Sequence, residues 1–277
     1  MCKAGQLTKR VPPIRIPACN DLPVGGKAEF VLYWMHAQRR TTWNFALEQA
    51  VDWARELGKP LVVVETLSAG GRWASDRHHA FVLQGMRENA AACKRSGVRF
   101  LPFVEPKKGQ NVDLVAALAE RSAVVVTDHF PIKQFTAEVE QVVPRVKVRF
   151  ERVDSNGLLP LAAPDRVFPT AYAFRRFLHR TLPDHLLDVP KSNPLARAKL
   201  PGPASLPRAI LQRWTPAMPR LLAGDRAALA SFSIDHHVPP TETPGGPSAA
   251  RKALKRFLKN KLAKYADDRN HPGVHGT

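Results

Sequence analysis

The residues able to do chemistry sit in a few short strings. Two histidine pairs, His78-His79 and His236-His237, offer imidazole nitrogens. Neighbouring side chains on a helix point about 100° apart, so neither pair chelates a metal by itself. Surface or capping roles are the expectation, and no residue is assigned as a metal ligand. Asp128-His129 ends an apolar run and reads as a helix-capping turn ahead of an acid–base pair. Arg39-Arg40, just past another apolar run, would hold an anionic group or stay solvated. Tyr172, Phe174 and Phe177 have helical spacing, which makes them core residues before it makes them a stacking platform for bases. Arg175, Arg176 and Arg180 share that stretch, and Arg251, Lys252, Lys255, Arg256, Lys259, Lys261 and Lys264 lie further on. Arg175, Arg176 and Arg256 are the residues expected on DNA phosphate. No Walker sequence, Gly-x-Gly-x-x-Gly, Cys-x-x-Cys or His-Glu-x-x-His occurs, and no side chain is assigned a catalytic role.

The charge gives those cations a direction. The 277 residues carry a formal net charge of +18, with a pI near 10.4. A field of that sign attracts phosphate backbones and speeds encounter with nucleic acid, although arginine-rich composition alone also raises it. At 44% hydrophobic the chain can build a sizeable core. Cys2, Cys19 and Cys93 have neither metal nor redox spacing and read as free thiols in a reducing cytoplasm. No apolar stretch approaches a transmembrane span, and the first residues lack a secretion-signal core. A cytoplasmic monomer with no membrane partner is the expectation.

The elements that must position these residues alternate. Phe30 to Met35 is a short apolar run, and a helical pattern follows from Trp43 to Leu57. Leu61 to Thr66, Val98 to Val104, Ala123 to Thr127 and Val146 to Val153 read as further strands. Helical patterns separate them: Ser75 to Ser96, Val112 to Arg121 and Ile132 to Val143. Five strands alternating with helices predict an α/β fold, a Rossmann-like five-stranded parallel sheet with helices on both faces. Ligands bind such sheets where strands end and helices begin, so the loop His36 to Thr42 is the first place to look for function. The expected organisation is an irregular leader over 1–27, the α/β domain over 28–155, a connecting segment over 156–203 and the start of an all-α domain over 204–277. Pro183 to Pro203 reads as an extended linker, and Leu206 to Trp214 and Ala249 to Ala266 as helices.

Four strings resemble one known family. Tyr33-Trp34-Met35, with Arg40, Asn44 and Ala46-Leu47, is similar to the opening of class II DNA photolyases. That family usually carries Arg-Asp where this chain has Ala37-Gln38, and Asp where it has Trp43. Thr127-Asp128-His129-Phe130-Pro131 is similar to a turn after the family's fourth strand. Phe168-Pro169-Thr170-Ala171-Tyr172-Ala173-Phe174-Arg175-Arg176-Phe177 resembles the segment just beyond its sheet domain. The last helix, ending in Asp267-Asp268-Arg269-Asn270-His271-Pro272, resembles the entry to its flavin-binding helical domain. The resemblance implies FAD as cofactor, with Tyr265 and Thr277 as its contacts, and a second antenna chromophore of folate or deazaflavin type. It implies light-driven repair of cyclobutane pyrimidine dimers in DNA, a carbon–carbon lyase reaction, with this chain an N-terminal portion that is inactive alone. Two rivals are a cryptochrome-like blue-light photoreceptor and a stand-alone Rossmann-like nucleotide-binding module.

Overall fold

The structure, a computed structural model, describes residues 11–71 and 73–274. Strands β1 (Phe30–Met35), β2 (Leu61–Ser68), β3 (Arg99–Glu105), β4 (Ser122–Asp128) and β5 (Arg149–Val153) are linked by α1 (Phe45–Glu56), α2 (Asp76–Arg95), α3 (Gln110–Ala119) and α4 (Lys133–Val142). All five strands pair in parallel, in the order β3-β2-β1-β4-β5. This is the Rossmann-like sheet that the alternation predicts. Every residue of β1 and of β4 is buried, which is why both read as unbroken apolar runs rather than as alternating ones. Val31, Tyr33 and Met35 face α1, where Phe45, Leu47 and Val51 meet them. Phe30, Leu32 and Trp34 face the other way, among Leu114, Leu118, Val139 and Val142 of α3 and α4.

Helix α1 begins later than its apolar pattern suggests. Asn44 is the N-cap and its Oδ1 accepts from the Leu47 amide at 3.0 Å. Trp43 stays outside at φ 51°, a left-handed conformation costly for an indole-bearing residue. Its N–H donates to the Lys191 carbonyl and its carbonyl accepts from Arg40 Nε, both at 3.1 Å.

Two stretches expected to be loose are held down. The leader runs antiparallel to the edge strand β5. Cys19 donates to Phe150 at 2.8 Å and Arg152 to Pro17 at 3.1 Å, and Asp154 donates to Arg15 at 2.9 Å. A bare edge is thereby covered. The Arg15 guanidinium is fully buried, 3.5 Å from the Asp154 carboxylate and 4.8 Å from the Phe45 ring centroid. Beyond α5 (Ala171–Thr181) and a 3-10 turn, Leu182–His185, residues 186–203 form no regular element but are not a free linker. Leu195 and Ala198 bury themselves on the α1 side of the sheet. Ala204, Leu206 and Trp214, flanking α6 (Arg208–Arg213), bury themselves on the α3/α4 side.

The chain divides into two compact units, and the break differs from the boundaries at 155 and 203. Among the described residues, one unit takes 11–71 together with 89–217, and the other takes 73–88 and 218–274. The burial of Leu195 through Trp214 explains why the first extends to 217. Within the second unit, the early turns of α2 meet the loop before α9 (Pro247–Asn260). The Gly245 amide donates to Gln84 Oε1 at 2.7 Å, and a Cβ on Gly245 would stand 1.9 Å from the Phe81 carbonyl oxygen. Only glycine allows that approach. Helices α7 (Pro219–Leu222) and α8 (Arg226–Leu229) complete this unit together with α10 (Tyr265–Asp268). The expected helix 249–266 is therefore broken: α9 stops at Asn260 and a 3-10 turn, Leu262–Lys264, precedes α10.

The docked segment is testable. Buried Glu48 on α1 accepts from the Lys191 amide at 2.8 Å and pairs with Lys191 Nζ at 3.2 Å. Glu48→Ala removes both contacts, of which the charge-assisted bonds contribute about 1.5–3 kcal/mol. Trypsin should then cut at Lys191, Arg197 or Lys199 about tenfold faster, because cutting follows local opening. Equal cutting of both proteins, read by mass spectrometry, would show that the segment is not held there.

Candidate functional site

The strand order reverses between β1 and β4, and the ends of those strands are where an open α/β sheet takes its ligands. Here the protein fills that place itself. Asp128, last residue of β4, is buried, and its Oδ2 accepts from the backbone amides of His36, Ala37 and Gln38 at 3.1, 2.9 and 2.8 Å. Its Oδ1 accepts from the Tyr33 hydroxyl at 2.7 Å. Three convergent amides form an anion nest, and the carboxylate occupies it. Burial, then the Asp128 charge, raises the Tyr33 pKa well above its ordinary value and keeps the phenol protonated. Asn44 completes the loop: its Nδ2 donates to Tyr33 Oη, Gln38 O and Arg40 O at 2.9–3.0 Å. Asp128 therefore caps a loop rather than a helix; the N-cap of α4 is Ile132. Both Asp128 oxygens are thus taken by Tyr33 and the loop amides, and the His129 backbone is held elsewhere, its amide donating to Val153 and its carbonyl accepting from Asn156.

Arg39 and Arg40 are likewise spent on the protein. Arg39 pairs with Glu65 at 3.2 Å and donates to the Thr66 carbonyl at 2.6 Å. Arg40 donates to the Gln38 side chain and to the carbonyls of Trp43 and Ser155. An anionic cofactor would have to displace these bonds. Next to them His36 is fully buried between Trp34 and Phe135, with ring centroids at 4.4 and 5.5 Å, and neither ring nitrogen has a hydrogen-bond partner. Burial pushes its pKa down to about 4, with Asp128 opposing and Arg39 adding to the shift.

A pocket of about 370 Å³ opens at the ends of β2 and β3. Ser68, Glu105, Lys108 and Glu138 line it, between the Gly70-Gly71 and Gly109 turns. Ser68 Oγ donates to Glu138 Oε1 and accepts from Asn111 Nδ2, each at 2.7 Å. Glu105 Oε1 accepts from the Asn111 amide at 3.2 Å. Sequence reading missed this site. The signal was present as Ser68 and Glu105, polar residues at the ends of neighbouring buried strands.

The strings at β1, at the end of β4 and at α5 all fall in one matched region. A family model described as DNA photolyase matches residues 31–196, from β1 through the docked segment. The chain belongs to the DNA photolyase family. It is 26% identical over 250 residues to a deoxyribodipyrimidine photo-lyase of Methanothermobacter thermautotrophicus, covering 89% of this chain and 51% of that protein. Against a protein of the same name from Arabidopsis thaliana it is 27% identical, covering 87% and 47%. The chain thus spans about half the length of the curated relatives it matches. A cryptochrome structure from Synechocystis sp. PCC6803 superposes with a TM-score of 0.62 at 13% identity, over 87% of this chain and 49% of that one. An archaeal photolyase structure from Sulfolobus tokodaii, described as holding two FAD molecules, gives 0.56 at 11% identity over 85% and 48%. At such identities these two structures show the fold.

Photolyase membership does not make every expected site residue part of a built site. Tyr265 is half-buried at the start of α10, its ring edge-on to Phe257 at 5.5 Å. Neither α9 nor α10 has a buried residue, so nothing in those helices encloses a flavin ring. Thr277 lies outside the described residues. Arg175, Arg176 and Arg256 are exposed. Tyr172 and Phe174 are exposed too, at 68% and 40%, against the expectation of core. The apolar face of α5 packs on Phe168, with centroids 5.0–5.5 Å from Phe174 and Phe177, and no α5 residue is buried. His236 pairs with Asp76 at 2.8 Å, and the Nδ1 atoms of His78 and His79 face backbone carbonyls.

Two measurements probe the loop. Asp128→Ala leaves three amides and a phenol buried without an acceptor, so a loss on the order of 3–5 kcal/mol is expected in urea unfolding. A loss under about 1 kcal/mol would show that the nest is satisfied some other way. The His36 pKa falls on folding, so the unfolded chain binds more protons between pH 4 and 6.5. Its contribution is complete above about 6.5 and is lost as pH falls towards 4, about 3 kcal/mol in all. His36→Leu should flatten the stability–pH curve in that window relative to wild type; parallel curves would refute the burial argument.

Proposed function

We propose that this chain is the α/β and connecting portion of a deoxyribodipyrimidine photo-lyase, a carbon–carbon lyase that repairs cyclobutane pyrimidine dimers in DNA. The match over residues 31–196 supports this reading, and the name shared by the relatives at 24–27% identity favours repair over the photoreceptor alternative. The nucleotide-module alternative loses ground on geometry, since Asp128 already fills the nest at the switch point. Reduced FAD, when bound, supplies the light-driven electron. The described residues near Tyr265 do not enclose it, so no step is assigned to them. A second chromophore of folate or deazaflavin type would not find Arg39 and Arg40 free. Among the described residues no helix is long and apolar enough to cross a membrane. DNA is the proposed partner, met by a net charge of +18 and the exposed Arg175, Arg176 and Arg256. The protein is proposed to act as a monomer in the cytoplasm.

Purified alone, the chain should be colourless and leave dimer-containing oligonucleotide unrepaired under blue light with reductant. It should bind undamaged duplex with steep salt dependence, and Arg175→Glu with Arg176→Glu should shallow the slope by about two phosphates. The product of the whole reading frame carrying this chain should hold flavin and reverse dimers. Salt-independent DNA binding would reject the electrostatic surface. A flavin-bound product inert on dimers would reject the lyase reading for the photoreceptor.

A further inference from the structure

We propose that His236 is a pH-operated clasp: as an imidazolium it fastens the strap 232–239 to the start of α2, and as a neutral ring it lets the strap go. The proposal rests on neither the flavin reading nor the DNA reading.

Backbone and side chain together hold the strap. The Asp235 amide donates to the Ala74 carbonyl at 2.9 Å, and the Asp76 and Arg77 amides donate to the carbonyls of Asp235 and Val238, each at 3.1 Å. These bonds make one isolated parallel bridge, Ser75 against Asp235, far shorter than a stable sheet. His236 adds the side-chain link. Its Nδ1 lies 2.8 Å from Asp76 Oδ1, and its Nε2 lies 3.1 Å from the Phe232 carbonyl oxygen.

Those two partners decide the charge of the ring. A carboxylate oxygen and a carbonyl oxygen both accept and neither donates. A neutral imidazole has one N–H and one lone pair, so in either tautomer one nitrogen faces an oxygen with no proton between them. The doubly protonated ring satisfies both contacts. Asp76 makes the choice costly to reverse, because it is fully buried and its Oδ2 has no hydrogen-bond partner among the described residues. Arg226 Nε on α8 stands 3.9 Å from that oxygen, beyond hydrogen-bond reach. Removing the imidazolium proton strands a buried charge.

The other titratable and charged groups nearby are engaged elsewhere. On α2, His79 turns its Nδ1 to the Ser75 carbonyl at 3.1 Å, and Arg77 Nε donates to the Pro239 carbonyl at 3.2 Å. Within the strap, Asp235 Oδ1 accepts from the His237 amide at 2.8 Å. The docked strap favours the charged ring, so its stability is full below the ordinary imidazole range, near about 6.5, and is lost as pH rises through and beyond it. That direction is opposite to the effect of His36, whose contribution grows as pH rises.

The test measures millisecond hydrogen exchange of the 277-residue chain at pH 6 and pH 8.5, with the amides of β1 as the control for global folding. Rates are expressed as protection factors, which divide out intrinsic base catalysis. Protection of the Asp76, Arg77 and Asp235 amides should fall at least about tenfold at the higher pH, the size of one charge-assisted hydrogen bond. In His236→Leu the same amides should be weakly protected at both pH values. Asp76→Asn, which keeps an acceptor and removes the charge, should likewise lose most of the pH dependence. Wild-type protection that does not change with pH would overturn the proposal. So would an equal fall in His236→Leu, or a His236→Leu strap as protected at pH 8.5 as the wild type at pH 6.

Discussion

Much of the α/β unit depends on a single buried carboxylate. Asp128 joins the end of β4 to the loop leaving β1, across the boundary where the sheet reverses its strand order. Without it, three amides in a row would face each other with no acceptor, and the loop could not take its tight path into α1. Tyr33 and Asn44 then extend the network from the strand below to the helix above. In a low-dielectric interior such a network is worth most when every member is satisfied, so a single deletion disturbs the whole loop. The geometry resembles a phosphate-binding turn, but an internal anion completes it. The open space near it lies to one side, in the pocket at the ends of β2 and β3.

Burial on both faces of β1 and β4 has its counterpart in the chain that follows. The leader covers the edge of β5, and the stretch around Leu195 and Trp214 lies first on one face of the sheet and then on the other. Prolines interrupt both stretches, and the regular structure they hold is short, a 3-10 turn at Pro13–Arg15 and α6. Side chains pin each of them as well: Arg15 against Asp154, Lys191 against Glu48. The leader's order comes from its backbone bonds to β5 together with the Arg15–Asp154 pair, and that of the later stretch from Lys191 on Glu48 and a few apolar anchors.

The sheet was legible in the sequence because parallel strands buried on both sides are written as plain apolar runs, and β1, β2 and β4 are of that kind. Photolyase membership was legible in strings such as Tyr33-Trp34-Met35 and Phe168 to Phe177. The partners of the polar residues were not. Asp128 read as a helix cap because sequence shows a carboxylate at a strand end without showing that 90 residues earlier three amides await it. The aromatic residues of α5 read as core because helical spacing reports a common face and says nothing about what covers it. The polar residues of the β2/β3 pocket come from separate stretches, among them Ser68, Glu105 and Glu138, and no local pattern connects them.

The belt formed by residues 195–214 bears on how family members are recombined. A chimera that takes this sheet and joins a foreign helical portion after β5 would strip Leu195, Ala198, Leu206 and Trp214 from the surfaces they cover. Both sides of the graft would then show apolar ground to water, and the hybrid would be prone to misassembly however well its two halves matched. A seam placed after Ala217 carries the belt along with the sheet it wraps. The transferable module is thus longer than the α/β pattern that defines it, by the whole of a stretch with little regular structure to announce it.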